Sequence, residues 1–135
     1  LDEYKDNQNL LLPTDLVNQD KKIVKPENFG KEDSSMDCGP ETIAMLKEKI
    51  NNAKMILWNG PLGVYEKGFK DGTLGLAKAI ADNHDGGLIS LVGGGDTVAA
   101  IAENNDDDKF TFVSTAGGAM LDFLANGTLP GIDAL

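Results

Sequence analysis

A glycine-rich turn between an apolar run and a helical pattern is the segment best able to do chemistry. The run Leu88–Val92 is followed by Gly93–Gly95 and then by Asp96 and Thr97. A buried strand that passes through glycines into a helix leaves the first N–H groups of that helix unpaired and directed at one point. Such a point binds phosphate, and a carboxylate beside it can hold a divalent metal. The segment predicts a nucleotide-phosphate site, although on its own it fits a tight turn with Asp96 as helix cap about equally well.

Two further junctions of the same kind favour the phosphate interpretation. In Ser114–Ala119 another apolar run is again followed by glycines at the start of a helix, and Asp37–Thr42 precedes a further helix start. The carboxyl ends of parallel strands lie at one edge of a sheet, so several helix N-termini can meet there. Helix N-termini gathered in this way form a concave site for phosphate.

The loop Trp58–Glu66 is a second candidate for ligand binding. Its glycines, its proline and Asn59 predict a rigid, sharply bent segment. Pro61 and Leu62 could lie against an apolar ligand face, and Glu66 could accept hydrogen bonds from ribose hydroxyls. Taken alone, the loop is better explained as the end of a strand that buries Trp58.

The elements that must position these residues alternate between apolar strands and amphipathic helices. This alternation is typical of an α/β fold in which a parallel sheet has crossover helices on both faces, in three layers. The polar segment Asn18–Ser35 is expected to be a surface excursion that can form a short hairpin, and LPGIDAL an irregular tail. The predicted strands are Asn9–Val17, which ends at Pro13 or continues past it, then Lys54–Trp58, Leu88–Val92 and Phe110–Val113. The predicted helices are the end of one at Leu1–Asn9, then Pro40–Asn51, Asp71–Asn83, Asp96–Asn104 and Gly117–Asn126.

Particular side chains are expected to face the core or to end these helices. Asp71 or Thr73 is expected to cap the helix Asp71–Asn83. Cys38 is expected to be a structural thiol whose pKa is lowered by the helix start beside it. The side chains expected to face inward from the helices Asp71–Asn83 and Gly117–Asn126 are Leu74, Leu76, Ala77, Ile80, Met120, Leu121 and Leu124.

Composition limits the kinds of partner this chain can have. The net charge of −10 makes nucleic acid and anionic membranes unfavourable partners, and no apolar stretch approaches the ~20 residues that span a membrane. All 12 basic residues are lysines, so no arginine is present to grip a small, highly charged acid. The single cysteine excludes an internal disulfide and fits a reducing compartment. The polar start carries no visible signal peptide, and the missing initiator methionine suggests a piece of a longer protein.

Five segments together resemble the motifs of the phosphoglycerate kinase family. They are LPTDLV, DCGPET, WNGPLGVYE, VGGGDTVAAI and STAGGAMLDFLANGTLPGIDAL, and they follow the family's order and spacing from about Leu10 to Leu135. The resemblance implies a glycolytic, cytoplasmic and monomeric two-domain enzyme. Such an enzyme transfers a phosphoryl group between 1,3-bisphosphoglycerate and ADP, giving 3-phosphoglycerate and ATP.

The resemblance also implies that residues 1–135 are only part of the C-terminal, nucleotide-binding domain. Its first strands and the lysines that reach the nucleotide phosphates would be missing. The entire N-terminal domain, which would hold 3-phosphoglycerate, would be missing as well. The chain alone is therefore expected to be inactive. The alternatives are a non-catalytic nucleotide- or phosphate-binding module and a purely structural α/β fragment.

The glycine-rich turn acquires its roles from the same resemblance. Asp96 matches the aspartate that holds Mg²⁺ with the nucleotide ATP or ADP. Gly94, Gly95 and Thr97 match positions that contact phosphate, and Gly95 is also assigned to the catalytic set.

The other two loops acquire roles in the same way. Glu66 matches the glutamate that binds ribose, and Asn59 and Pro61 match the nucleotide-side loop. Gly117 and Gly118 match a junction whose N–H groups would face the transferring phosphoryl group. Ala116 stands where the family usually has glycine, and it would cost about 1 kcal/mol if that position needs a positive φ.

Overall fold

The computed structural model describes residue 7, residues 9–103 and residues 107–135, which form two three-stranded sheets and the helices around them. The helix end expected at Leu1–Asn9 lies outside the described residues except for Asn7 and Asn9. None of the helices in the described part of the chain is long and apolar enough to cross a membrane.

The first sheet is an antiparallel ribbon. It consists of β1 (Leu16–Asn18), β2 (Ile23–Val24) and β3 (Ser35–Cys38), in the order β2-β1-β3. A hairpin is present, but it does not lie within Asn18–Ser35 as expected, because Leu16 and Val17 of β1 pair with β2. The buried strand expected over Asn9–Val17 is wrong, since Leu10–Leu12 are 43%, 45% and 55% exposed and pairing begins only at Leu16. Apolar composition alone does not bury this segment, because no element among the described residues covers it.

A buried aspartate joins the ribbon to α1 (Pro40–Asn51). The Asp15 carboxylate accepts hydrogen bonds from the N–H of Glu41 at 3.0 Å and the N–H of Thr42 at 2.8 Å, and from the Thr42 hydroxyl at 2.7 Å. Burial alone would raise the pKa of Asp15, but these hydrogen bonds and nearby Lys25 bring it below its usual value. The first turn of α1 is thus capped from another part of the chain.

A second buried aspartate does the same for α2 (Asp71–Ala81). The Asp37 carboxylate accepts a hydrogen bond from the N–H of Gly72 at 3.0 Å. The cap expected from Asp71 or Thr73 is therefore wrong, because the carboxylate comes from β3. Burial raises the pKa of Asp37, and burial together with the Asp37 and Asp15 charges raises that of Cys38. The lowered thiol pKa expected beside a helix start is also wrong.

The second sheet is parallel and confirms the α/β class with flanking helices. Its strands β4 (Met55–Asn59), β5 (Ile89–Gly93) and β6 (Phe112–Ser114) lie in chain order. In-register pairing places Asn59 beside Gly93 and Gly93 beside Ser114. The carboxyl ends of all three strands therefore meet at one edge. The remaining helices are α3 (Gly95–Glu103), α4 (Gly117–Asn126) and α5 (Pro130–Asp133), with short 3-10 turns at Pro26–Asn28, Tyr65–Lys67, His84–Gly86 and Asp107–Lys109.

The two faces of the parallel sheet are covered unequally. On one face Trp58 and Val92 join a buried core with side chains of α1, α2 and α3, including Ile50, Ile80 and Ile101. The core-facing positions expected on α2 are confirmed for three side chains, and Leu74 is half-buried. These three are Leu76, Ala77 and Ile80.

The opposite face is apolar and largely bare. Met55, Leu57, Ile89 and Phe112 alternate with the buried strand residues and are 61%, 44%, 43% and 55% exposed. A parallel sheet is ordinarily covered on both faces. Among the described residues, Met120 of α4 lies against this face at Gly93, at the carboxyl end of β5.

The apolar side chains of α4 that were expected to be buried are at least partly exposed. Met120 is half-buried beside Gly93. The inward orientation expected for Leu121 and Leu124 is wrong, since they are 38% and 52% exposed. The tail after α4 is not wholly irregular, because α5 forms one short turn of helix.

Candidate functional site

A cleft of about 300 Å³ lies at the carboxyl edge of the parallel sheet. The turns that follow β4, β5 and β6 form its walls, as expected for ligand sites in sheets of this kind. The lining residues are Asn59, Gly60, Pro61, Gly94, Gly95, Asp96, Thr97, Thr115, Gly117 and Gly118.

The turn after β5 directs the start of α3 at this cleft. Gly94 has φ +97°, a conformation that L side chains rarely adopt, and its N–H donates to the Ser114 carbonyl at 3.1 Å. The helix begins at Gly95, so its first N–H groups lie at the cleft wall. Asp96 is exposed in the first helical turn. The predicted combination of unpaired N–H groups and a carboxylate is thus present at one place.

The turn after β6 brings the start of α4 directly against the first turn. Gly117 is buried, and a Cβ placed on it would lie 2.7 Å from the Gly94 nitrogen. The two turns therefore contact each other through backbone, and a side chain at Gly117 would separate them. Ala116 has φ −98°, so the strain considered for this position is absent.

The loop after β4 is fixed to α3 by a buried hydroxyl. The Gly60 N–H donates to Thr97 Oγ1 at 3.0 Å, and Trp58 Nε1 donates to the Gly60 carbonyl at 2.7 Å. Gly60 has φ +102°, which suits glycine. Thr97 is fully buried, so its side chain positions the loop wall beside Pro61. The family resemblance matched Thr97 to a position that contacts phosphate, and the sequence analysis did not single out Gly60.

The structure brings together every predicted site residue except Glu66. The eight that line one cleft are Asn59, Pro61, Gly94, Gly95, Asp96, Thr97, Gly117 and Gly118. Glu66 is exposed on the 3-10 turn Tyr65–Lys67 of the adjoining loop and does not line the cleft. Thr115 is an additional lining residue that the sequence analysis did not assign a role, although its place beside the second glycine pair could have indicated one.

The third predicted junction, Asp37–Thr42, does not belong to the cleft. It lies at the antiparallel ribbon, where the Asp15 carboxylate occupies the first N–H groups of α1. The expectation that this helix start joins the phosphate site is therefore wrong. A larger cavity of about 510 Å³ lies there, between the ribbon and the starts of α1 and α2. Its buried acid, Asp37, already accepts backbone hydrogen bonds, and the predicted site residues lie elsewhere.

The donor set suits a magnesium ion that arrives with a nucleotide. Within the described residues, no group of three or more His, Cys, Asp or Glu side chains could hold a metal by itself. Mg²⁺ typically keeps several waters and binds to one or two carboxylates together with substrate phosphates. An exposed single carboxylate at Asp96, beside helix N–H groups, fits that requirement.

Polar contacts tie the loop that carries Glu66 to α3. The Tyr65 hydroxyl donates to Glu103, and Lys70 forms an ion pair with the same carboxylate. Burial and Glu103 raise the pKa of Tyr65 to about 12. Glu66 therefore lies next to Tyr65, which is bound to Glu103 at the C-terminal end of α3, and α3 begins in the cleft.

Comparison with known proteins gives one consistent result. The family model described as phosphoglycerate kinase matches residues 1–127. The phosphoglycerate kinase of Koribacter versatilis is 43% identical over 143 residues, which cover 99% of this chain and 35% of that protein. That of Chloroherpeton thalassium is 45% identical over 133 residues, which cover 93% of this chain and 34% of that protein.

Solved structures agree with these relatives. The phosphoglycerate kinase structure from Coxiella burnetii matches with a TM-score of 0.79 and 39% identity, over 92% of this chain and 33% of that chain. The structure from Pyrococcus horikoshii matches with a TM-score of 0.75 and 33% identity, over 91% of this chain and 31% of that chain. The chain thus spans about a third of the length of the relatives it matches. By both sequence and structure, this chain belongs to the phosphoglycerate kinase family.

Proposed function

We propose that this chain supplies part of the Mg²⁺–ATP/ADP site of a longer phosphoglycerate kinase. The proposed reaction moves a phosphoryl group between the carboxyl phosphate of 1,3-bisphosphoglycerate and ADP, giving 3-phosphoglycerate and ATP, in the cytoplasm. Residues 1–135 would form part of the nucleotide-binding domain. The observation that carries the proposal is the convergence of two helix starts, α3 and α4, on one cleft that also contains the Asp96 carboxylate.

Phosphoryl transfer relies mainly on positioning and on charge stabilisation. The first N–H groups of α3, beside Gly94 and Gly95, would bind phosphate oxygens through hydrogen bonds and the positive end of the helix dipole. The N–H groups at Gly117 and Gly118 would face the phosphoryl group in transfer. Both sets are held in place because the turns that carry them contact each other.

The remaining residues of the site would orient the nucleotide. Asp96 would hold Mg²⁺, which neutralises charge on the phosphate oxygens when it is bound. Asn59 and Pro61 would line the nucleotide-side wall, positioned by the Thr97–Gly60 hydrogen bond. Glu66 would accept hydrogen bonds from the ribose hydroxyls once the nucleotide extends beyond the cleft toward its loop.

The cleft contains no basic side chain among its lining residues, and the chain contains no arginine. Binding of a small, highly charged acid typically uses arginine forks. The 3-phosphoglycerate site and the cations that reach the nucleotide phosphates would therefore come from the rest of the kinase. We expect no turnover from residues 1–135 alone.

Calorimetric titration of the chain with Mg·ADP tests this proposal. We expect measurable binding that weakens by about tenfold or more in Asp96→Asn, because the variant loses the charged metal ligand. Asp71→Asn is the matched control, since Asp71 is also an exposed acid in the first turn of a helix but lies outside the cleft. It should bind like the unmodified chain.

Two results would count against the proposal. Equal weakening in both variants would mean that the loss of any acid at a helix start alters binding. Absence of binding to the unmodified, folded chain would mean that these residues do not form a nucleotide site by themselves.

A further inference from the structure

The loop from Asn59 to Lys70 connects the cleft to α2, and its middle is held by a small number of hydrogen bonds. The N–H groups of Leu62 and Gly63 donate to Thr73 Oγ1 at 3.0 and 3.4 Å. The Val64 N–H donates to the Met36 carbonyl at 2.8 Å. These acceptors lie in the first turn of α2 and in β3. The path of the loop is therefore set by the junction between those two elements.

Asp37 lies at the centre of that junction. It is 3% exposed, and its carboxylate accepts the N–H of Cys38 at 2.8 Å and that of Gly72 at 3.0 Å. A Cβ on Gly63 would lie 2.6 Å from Asp37 Cγ, and a Cβ on Gly72 would also collide with this carboxylate. Asp37 thus packs directly against the backbone of the loop and against the backbone of the helix start.

Thr73 completes the connection, because it directly follows Gly72. It is fully buried, and its hydroxyl oxygen receives both loop N–H groups. When Asp37 fixes the first turn of α2, it also fixes the direction of the Thr73 hydroxyl. That hydroxyl in turn determines where the peptides between Pro61 and Val64 lie.

We propose that Asp37 and Thr73 act as a pair of positioning residues that set the conformation of the loop Gly60–Glu66. Neither side chain lines the cleft. Their effect on nucleotide binding is indirect, through Pro61 on the cleft wall and Glu66 farther along the loop. This consequence rests on the proposed function, whereas the conformation of the loop does not.

Site-resolved hydrogen exchange in the ligand-free chain tests the proposal. Asp37→Asn replaces one carboxylate oxygen by an NH2 group, which donates and cannot accept a hydrogen bond, so one of the two backbone N–H groups loses its acceptor and the start of α2 should loosen. We expect the amides of Leu62 and Gly63 to exchange about tenfold faster or more, relative to the Val92 amide in the core.

Asp15→Asn provides the matched control. It also replaces a buried carboxylate that caps a helix from a distance, but its contacts are with α1 and not with the loop. Relative to Val92, exchange at Leu62 and Gly63 should stay unchanged in this variant. Equal acceleration in the two variants, or none in Asp37→Asn, would overturn the proposal.

A second pair of variants decides the matter should Asp37→Asn fail to fold. Thr73→Val keeps the shape of the side chain but removes the acceptor of both loop N–H groups, whereas Thr73→Ser keeps the hydroxyl. We expect fast exchange at Leu62 and Gly63 in the valine variant and its reversal in the serine variant. Fast exchange in both would show that packing at Thr73 matters and that its hydroxyl does not, which contradicts the proposal.

Titration with Mg·ADP separates this inference from the proposed function. Asp37→Asn and Thr73→Val should bind Mg·ADP several-fold more weakly than Asp15→Asn and Thr73→Ser do. If none of the chains binds nucleotide, the proposed function fails while the exchange data still decide the positioning role. If the exchange pattern is as expected but the affinities are equal, the loop is positioned as proposed but contributes nothing to nucleotide binding.

Discussion

The two sheets of this chain are held in place by different physical means. The parallel sheet packs one face against helices through a cluster of buried apolar side chains, all of which lie between Ile50 and Phe110. Between residues 9 and 39, the buried side chains are polar instead: Asp15, Asn18 and Asp37. These aspartates anchor the antiparallel ribbon by capping α1 and α2.

The difference shows how the two parts should respond to a change. Apolar burial is non-directional and roughly proportional to area, so the parallel sheet should tolerate changes of pH but not lost volume. The ribbon depends on a few directional hydrogen bonds to ionised groups, so it should respond to the loss of an acceptor or of its charge.

The largest expected effect comes from removing volume in the apolar half. Ile80 is fully buried, whereas Ile23 in the ribbon is 60% exposed. Ile80→Ala should lower the free energy of unfolding by about 2–5 kcal/mol, and Ile23→Ala by less than about 1 kcal/mol. Urea unfolding followed by circular dichroism measures both. Equal losses would show that the ribbon, too, is anchored by apolar packing.

A smaller, pH-dependent effect is expected from Asp15 in the polar half. Folding lowers the pKa of Asp15 below its ordinary value of 3.8, so the ionised carboxylate stabilises the fold at pH values above 3.8. This contribution is lost as the pH falls through the pKa that Asp15 has in the folded chain. Near neutral pH, Asp15→Asn should cost about 1–3 kcal/mol.

Urea unfolding at neutral and acidic pH checks this expectation. The difference between Asp15→Asn and the unmodified chain should shrink as the pH falls below 3.8. The raised pKa of Asp37 acts with the opposite sign and is common to both chains, so the comparison isolates Asp15. A difference that stays constant across this range would contradict the charged-cap explanation.

The smallest effect on stability is expected at the bare face of the parallel sheet. Met55 is 61% exposed, so Met55→Ser should change the free energy of unfolding by no more than about 0.5 kcal/mol. It should nevertheless reduce the fluorescence of a hydrophobic dye such as anilinonaphthalene sulfonate, which binds exposed apolar surface. Val92→Ser, on the covered face of the same sheet, should show the reverse: a large loss of stability and no reduction in dye binding. If Met55→Ser is as destabilising as Val92→Ser, both faces are packed.

Sequence patterns predicted the parallel half and much of the cleft because their signals are local. The passage from an apolar run through glycine into a helix is visible within a few residues at Gly93–Gly95 and again at Ala116–Gly118. The ribbon has no comparable signal, since the Asp15–Thr42 and Asp37–Gly72 contacts join distant residues. Those contacts also explain why the Asp37–Thr42 junction was wrongly expected in the cleft.

The exposure of Leu121 and Leu124 could not be predicted from helix periodicity either. The pattern of α4 shows which side of the helix is apolar, but it does not show whether another element covers that side. Likewise, the sequence grouped Glu66 with the cleft residues through the loop they share. The position of the Tyr65–Lys67 turn places it outside.

The contact between Gly94 and Gly117 has a consequence for how this cleft can vary through inheritance. Any codon change that replaces a glycine by another amino acid adds a side chain, and at Gly117 the new Cβ would lie 2.7 Å from the Gly94 nitrogen. Gly95 and Gly118 have open space at the same position. A side chain at Gly95 or Gly118 would therefore meet no neighbouring atom. A change at Gly117 requires the opposing turn to move, whereas a change at Gly94 requires an L residue to adopt a φ of +97°.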